Sequence, residues 1–141
     1  MDSFASGSSY AIDPDEGLVL SRMFGAVTGD EMLAMVEAVL DDPAWSPSFD
    51  VIWDCSDVTA HIVLPSHVTP IIEEAGEVAG RMVLVESPSV GGSLIAELLA
   101  IRTRLRGGDV TVTGTLEEAV ASLGRDALPM PLRSFLDDTA G

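Results

Sequence analysis

The stretch Phe49-Asp50-Val51-Ile52-Trp53-Asp54 decides the fold class, because it is a short apolar run that ends in an acidic residue. A run of this length and composition predicts a strand buried in a sheet. Two comparable runs, Arg81-Met82-Val83-Leu84-Val85-Glu86 and Asp109-Val110-Thr111-Val112-Thr113, follow at intervals long enough to hold one helix each. Strands that alternate with helices are parallel neighbours joined by crossover helices. The sequence therefore predicts an α/β domain.

The residues before this stretch predict an antiparallel hairpin and a capped helix. Strands at Tyr10–Ile12 and Leu18–Phe24 flank the turn Asp13–Gly17, whose proline and glycine are typical of hairpins. Thr28 and Glu31 have the spacing of a capping box, in which each side chain bonds to the backbone of the other residue. The helix that follows places its apolar residues on one face: Met32, Met35, Val36, Val39 and Leu40.

The residues after it predict three further helices. Cys55–Leu64 is predicted as a loop, with or without a short strand at its end, and Ser66 is the predicted N-cap of the next helix. Ser93 is the predicted cap of a second helix, and Thr115 opens a third through another capping box.

These elements define the predicted fold class and the domain boundaries. The fold class is α/β, with a mixed sheet of four to five strands, mostly parallel, an N-terminal antiparallel hairpin and about four helices. We expect a mobile N-terminal tail at 1–9, one domain at 10–124 and a C-terminal tail at 125–141. That last segment is apolar enough to dock on the domain or on a second subunit.

The charge of the chain bears on its partners. There are 23 acidic residues against 7 basic ones, all arginine, so the net charge is −16. A surface of this sign repels phosphate backbones and anionic membranes, so we predict no nucleic-acid binding and no membrane insertion. Two explanations of the acidity stay open: solubility, including adaptation to salt, or steering of a basic partner.

Cysteine content and the N-terminus indicate a cellular compartment. A single cysteine, Cys55, cannot form an internal disulfide, which fits a reducing environment. No apolar run approaches the roughly 20 residues that span a bilayer. Residues 1–10 lack the basic and apolar regions of a signal peptide. We therefore expect a soluble cytoplasmic protein.

The layout resembles the STAS-like superfamily, the fold of anti-sigma factor antagonists and of the cytoplasmic domains of some transporters, and most nearly its stand-alone bacterial members. The segments that carry the resemblance are Leu18–Gly25, Asp42–Trp45, Val51–Asp54, Met82–Val85, Gly108–Val112 and Leu116–Ala119. The resemblance implies a STAS-like fold and a regulatory role exerted through contact with other proteins.

One serine motif of the antagonists is matched only in part. In them, a strand that ends in an Asp-Leu-Ser-like run leads to a phosphorylatable serine at the start of the next helix, within an Asp-Ser-Ser-Gly-like motif. Here Asp54-Cys55-Ser56-Asp57-Val58 matches the first part, and Leu64-Pro65-Ser66-His67-Val68 stands in place of the second. Ser66 thus has the position of that serine, without its neighbouring motif and after a longer loop.

Metal and hydrolase chemistry are two alternatives to a binding role. His61, His67, Cys55 and Asp57 lie close enough in sequence to suggest a metal site, but structural zinc takes four ligands at tight spacing and there is one cysteine. A hydrolase would need His61 or His67 beside Ser66 or Cys55 in one cleft, and no G-x-S-x-G elbow is present. We predict no catalytic residue, no metal and no cofactor.

Two more segments have alternative interpretations. The loop Ser87–Ser93 precedes a helix, where amides can hold an anion, but it lacks both phosphate-binding glycine patterns. Arg102, Arg104 and Arg106 lie near a helix C-terminus, where they complement the dipole. Alternatively, they form a basic spot that meets an acidic patch of a sister subunit.

The function predicted from the sequence is a non-enzymatic regulatory or scaffolding domain that acts by protein–protein interaction, as a homodimer. The alternative is a small-molecule or lipid-binding domain similar to CRAL-TRIO carriers, with methionine- and leucine-rich helix faces lining a cavity. The protein partner is not identified by the sequence. The candidate partner-binding residues are Trp45, Asp54, Ser56, Asp57, Ser66 and His67.

Overall fold

The computed structural model describes residues 7–62, 65–75, 80–88, 92–105 and 107–140. Five strands and five helices follow one another within these residues. In chain order they are β1 (Gly7–Asp13), β2 (Leu18–Thr28), α1 (Gly29–Asp41), β3 (Asp50–Ile62), α2 (Pro65–Ala75), β4 (Arg81–Val85), α3 (Gly92–Leu105), β5 (Asp109–Thr113), α4 (Leu116–Ser122) and α5 (Met130–Ala140).

The five strands form one sheet in the order β1-β2-β3-β4-β5. β1 pairs antiparallel with β2, and the three other pairs are parallel. Each parallel connection contains a helix, as a crossover requires. The predicted fold class, a mostly parallel mixed sheet with an N-terminal antiparallel hairpin, is confirmed.

Side chains of the central strands alternate between two apolar layers. Trp53 and Leu84 lie in the layer covered by α1, α2 and α3, whereas Ile52 and Val83 lie in the layer covered by α4 and α5. This alternation follows from the two-residue period of a strand. Both faces are covered, which explains why β3 and β4 are apolar at consecutive positions and not at every second one.

The first capping box forms as predicted. Thr28 Oγ1 accepts a hydrogen bond from the amide of Glu31 at 3.2 Å, and the Glu31 carboxylate accepts one from the amide of Thr28 at 3.2 Å. The two bonds satisfy amides that the first turn of a helix leaves unpaired. They fix the point at which the chain leaves β2 and enters α1.

The third strand is longer than its apolar run, so the prediction of a loop was wrong for residues 55–60, whereas the short strand allowed at the end of that segment is present at 61–62 as part of β3. β3 continues to Ile62 because β2 also continues, to Thr28, and the two extensions pair with each other. Residues 63–64 lie outside the described residues. β1 likewise begins at Gly7, three residues before the predicted start of the strand, opposite Phe24 of β2.

Two predicted helix caps were also wrong. α2 begins at Pro65, so Ser66 lies inside its first turn and is not the N-cap. Proline is favoured at a first helical position because its ring presets φ and its missing amide costs nothing there. α3 begins at Gly92, so Ser93 is likewise helical.

The segment after Gly124 adds a helix to the second layer. Leu128 and Leu132 are buried among side chains of β2, β3 and β4, and α5 also lies against β1. Arg125 Nη2 donates to the backbone carbonyl of Glu16 at 2.8 Å, which ties the segment to the β1–β2 turn. In the described part of the chain, no helix combines the length and apolarity needed to cross a membrane.

Candidate functional site

The centre of the candidate site is an arginine from β2 and three polar residues from β3, which we call the Arg22 cluster (Arg22, Asp54, Ser56 and Asp57). Arg22 Nε lies 3.3 Å from Asp54 Oδ2, and Arg22 Nη2 donates to Asp57 Oδ2. Ser56 donates to Asp54 Oδ1 from its hydroxyl at 2.6 Å and from its amide at 2.9 Å. Every group in the cluster is thus held by another.

A β-bulge brings both carboxylates to the same arginine. Asp54 and Asp57 are three positions apart, and in a regular strand an odd separation puts two side chains on opposite faces. Between Arg22 and Phe24 the register shifts, because Phe24 pairs with Asp57 and not with the residue two after Asp54. The extra residue in β3 turns Asp57 back towards Arg22, and bulges are known to re-aim side chains in this way.

The two carboxylates have different environments. Asp54 is 2% exposed, and its charge is compensated by Arg22 and by the two donors of Ser56. The Asp57 side chain is 59% exposed, so one carboxylate that Arg22 holds in place faces solvent. Asp54 therefore serves the structure of the cluster, whereas Asp57 is available to a partner.

A second group of residues lies where the N-terminal ends of α1 and α2 meet. His67 Nε2 is 3.4 Å from Asp30 Oδ1, and the Asp30 side chain is 88% exposed. Gly29 lets the two helices approach, because a Cβ at this position would lie 2.2 Å from Cγ of His67. Ser66, one residue before His67, is exposed.

Both groups lie towards the C-terminal ends of the parallel strands but at different levels, since Arg22 pairs with Asp54 well before β2 and β3 end at Thr28 and Ile62. They differ in the face they occupy, since Asp54 continues the alternation of Ile52 towards the layer of α4 and α5, while α2 packs in the other layer. Arg22 joins Asp54 and Asp57, and Ser56 bonds to Asp54. In the second group His67 lies beside Asp30, and Ser66 precedes His67 in the chain.

Trp45 lies at the opposite edge of the sheet. It follows the C-terminal end of α1 and precedes β3, where it packs with Val19, Val39 and Val51. Its indole Nε1 is buried and finds no hydrogen-bond partner in the part of the chain that the structure describes. The structure thus separates Trp45 from the other candidate residues and shows it packed under its loop.

The thiol of Cys55 is unsuited to nucleophilic chemistry. Burial, with a smaller contribution from the charge of Asp54, raises the pKa of Cys55 to about 12. The thiolate is the reactive form of cysteine, so this thiol is inert near neutral pH. Among the described residues, no three His, Cys, Asp or Glu side chains gather in a way that could hold a metal ion. The side chain of His61 lies outside that description.

Two cavities bear on the alternative of ligand binding. The cavity beside the methionine-rich face of α1, lined by Met35 and Trp53 among others, measures about 20 Å³ and is smaller than any metabolite. A groove of about 420 Å³ lies between α4 and α5, with apolar walls that include Val120 and Leu136 and with Arg133 among its polar groups.

Arg22 is the site residue that sequence reasoning missed. The signal was present, because Arg22 is the one charged residue in the run Leu18–Phe24, in which every other residue except Ser21 is apolar. A charge in a strand that becomes central requires a partner of opposite sign. The partner, Asp54, ends the neighbouring apolar run.

Comparison with solved structures relates the fold of this chain to one known fold. The structure is similar to an uncharacterised DUF3478-family protein with a SpoIIAA-like fold from Shewanella loihica PV-4, at a TM-score of 0.57 and 14% identity, covering 87% of this chain and 98% of that one. It is also similar to the anti-sigma factor antagonist SpoIIAA in its unphosphorylated form, at a TM-score of 0.48 and 19% identity, covering 84% of this chain and 97% of that one. No protein-family model matches the sequence, and no curated protein matches it.

These findings define the fold of the chain. The chain has a SpoIIAA-like, and therefore STAS-like, fold, as the resemblance in its sequence predicted.

Proposed function

We propose that this chain is a non-enzymatic regulatory or scaffolding domain that acts in the cytoplasm by binding another protein, as a homodimer. The observation that carries the proposal is the geometry of Asp57: Arg22 holds its carboxylate while more than half of the side chain is exposed. A charged group that is already fixed before binding loses little side-chain entropy when a partner engages it.

The surface around Asp57 has the features of an interaction site. The pairing of β4 with β3 reaches Asp54, so the paired ends of β2 and β3 extend further than β4. Phe24 is 39% exposed at this point, and Thr59 and Ala60 are exposed as well. An aromatic anchor beside a fixed charge is typical of protein–protein contacts.

The charge of the chain supports a basic partner. A net charge of −16 attracts a cationic surface over several ångströms and raises its association rate, and Asp57 offers a defined place for an arginine or lysine of that surface. We place Ser56, Ser66 and His67 at the margin of this contact. Asp54 acts from below as a positioning residue, and Trp45 belongs to the opposite edge.

Quantitative affinity capture tests the proposal. Wild type, Phe24→Ala, Asp57→Arg and the control Ser48→Arg, in an exposed loop at the opposite edge, are compared as bait in extracts of cells that make the protein. We expect a protein that wild type and Ser48→Arg retain and that both site variants lose by about tenfold or more. Equal capture by all four baits would contradict the proposal.

The groove between α4 and α5 favours a second candidate, a small-molecule or lipid-binding domain. Its volume of about 420 Å³ is in the range of ligand pockets, and Arg133 could meet the acid group of an amphipathic ligand. Native mass spectrometry separates the two: a stoichiometric adduct that Leu136→Arg abolishes supports the second candidate. A protein without adduct supports the first.

A further inference from the structure

The third helix exposes an apolar stripe of which the fold itself uses only Leu98, which packs in part against the core. One side of α3 is buried against the sheet through Ala96, Leu99 and Ala100. On the other side Leu98 is half-buried, Ile101 is 51% exposed and Leu105 is 82% exposed. Spacings of three and four residues place these three side chains in one row along the helix. Isolated exposed leucines are ordinary, whereas a row along one helix marks a contact surface.

Charges flank the stripe in an arrangement that complements itself. Glu97 and Arg104 are exposed and seven residues apart, so they lie on the same flank, two turns from each other. Arg104 Nε donates to the carbonyl of Val110 at 2.9 Å, which fixes the base of the guanidinium. Within the described part of the chain, neither the terminal nitrogens of Arg104 nor the Glu97 carboxylate has a hydrogen-bond or ion-pair partner.

We propose that α3 is the interface of the homodimer and packs antiparallel against α3 of a second copy. An antiparallel two-fold arrangement centred between Leu98 and Ile101 places Leu98 against the partner's Ile101 and Ile101 against the partner's Leu98. The flank of one helix that carries Glu97 and Arg104 then lies against the same flank of the partner's helix. Glu97 of each copy therefore faces Arg104 of the other, which gives two such pairs. Leu105 covers the first turn of the partner's helix.

The charges on α3 favour a second copy of the chain as the partner of this stripe, and they favour the antiparallel orientation. α3 carries Arg102 and Arg104 in its last turn and no acidic residue in its first. A parallel pair would bring four arginines together at one end, at a cost in repulsion, whereas the antiparallel pair sets each basic end beside the partner's Glu97. The stripe is apolar along its centre and has one negative and one positive side chain along one flank. Such a surface is complementary to a second copy of itself, as a two-fold interface requires.

The size of the contact sets its expected strength. A helix of 14 residues is about 21 Å long, so two such helices bury an area at the small end of specific interfaces. The net charge of −16 on each copy opposes association further. We expect a dimer that forms at high concentration and dissociates on dilution.

A charge-swap cycle measured by sedimentation velocity tests this interface. Glu97→Arg sets two arginines against each other, Arg104→Glu sets two glutamates against each other, and each is expected to weaken dimerisation by about tenfold. The double variant restores the pairs with their signs exchanged and is expected to return the dissociation constant to within about threefold of wild type. Arg104→Glu also removes the hydrogen bond to the Val110 carbonyl. The melting temperatures of all four proteins measure the effect of that loss on folding separately from the effect on dimerisation.

Matched substitutions complete the test. Leu105→Glu, at a position 82% exposed, is expected to abolish the dimer without lowering the melting temperature, and Met130→Glu, 62% exposed on α5, is expected to leave the dimer intact. A wild type that stays monomeric at the highest soluble concentration, or a dimer that all α3 variants retain, would overturn the interface. The inference rests on the homodimer proposed above. It can fail independently of the partner surface around Asp57, which the capture experiment tests on other residues.

Discussion

Arg22 Nε lies 3.3 Å from Oδ2 of Asp54, in a part of the sheet where the Asp54 side chain is 2% exposed. The pair joins the two longest strands just where their register shifts. Removing one member of a buried ion pair leaves the other charge uncompensated, which costs more than the pair itself contributes. The strand segment that carries Asp57 is therefore stabilised by a contact that is itself buried.

The first prediction separates the two carboxylates. Asp54→Asn keeps the shape but removes the charge, and is expected to lower the free energy of unfolding by roughly 3 kcal/mol or more. Asp57→Asn is expected to lower it by about 0.5 kcal/mol or less, because that carboxylate is mostly exposed. Urea unfolding of both variants measures the difference. Equal losses would show that the buried and the exposed contact are equivalent.

The second prediction concerns the contact between Gly29 and His67. Gly29→Ala is expected to cost about 2 kcal/mol or more, because the new Cβ would lie 2.2 Å from Cγ of His67. Gly114→Ala is the control, since its Cβ would lie 3.5 Å from the Glu118 carboxylate, an ordinary contact. We expect a change within roughly 0.5 kcal/mol there. Alanine otherwise favours helices over glycine, so a Gly29→Ala protein that gains stability would refute the close approach of α1 and α2.

The third prediction concerns Cys55 and alkaline pH. Burial raises the pKa of its thiol from 9.0 to about 12, so between these values the unfolded chain loses a proton that the folded chain retains. Stability is then lost as pH rises, by up to about 1.4 kcal/mol per pH unit. Unfolding of wild type and Cys55→Ala between pH 7 and 11 isolates this effect, because other groups titrate in both. Parallel curves, or rapid alkylation of the native thiol at pH 7.5, would contradict it.

The central elements of the fold could be predicted because each has a strong local signal. The apolar runs at β3, β4 and β5 and the capping box at Thr28 depend on a few neighbouring residues, and they formed where the pattern places them. The continuation of β3 through Cys55, Ser56 and Asp57 has no such signal. It depends on pairing with β2 and on the bulges, which are contacts between distant parts of the chain.

The candidate site was predictable in part for the same reason. The acid at the end of the apolar run of β3 and the serine at the start of α2 are visible in one segment each. Their distribution over two faces, and the role of Arg22, follow from the sheet register. The position of Trp45 could not be predicted from its neighbours in sequence. The same local sequence, a tryptophan in a proline-flanked loop, is compatible with a side chain that packs inward and with one that faces a partner.

Site-specific photo-cross-linking tests the central claim, that this domain binds a protein through the surface around Asp57. A photoreactive amino acid replaces Thr59 (which lies beside Asp57), Ser66 or, as the control at the opposite edge, Ser48, in cells that make the protein. All three positions are exposed, so each probe reaches solvent. We expect one cross-linked partner protein from positions 59 and 66 and none from position 48. Partners captured equally from all three positions, or from position 48 alone, would contradict it.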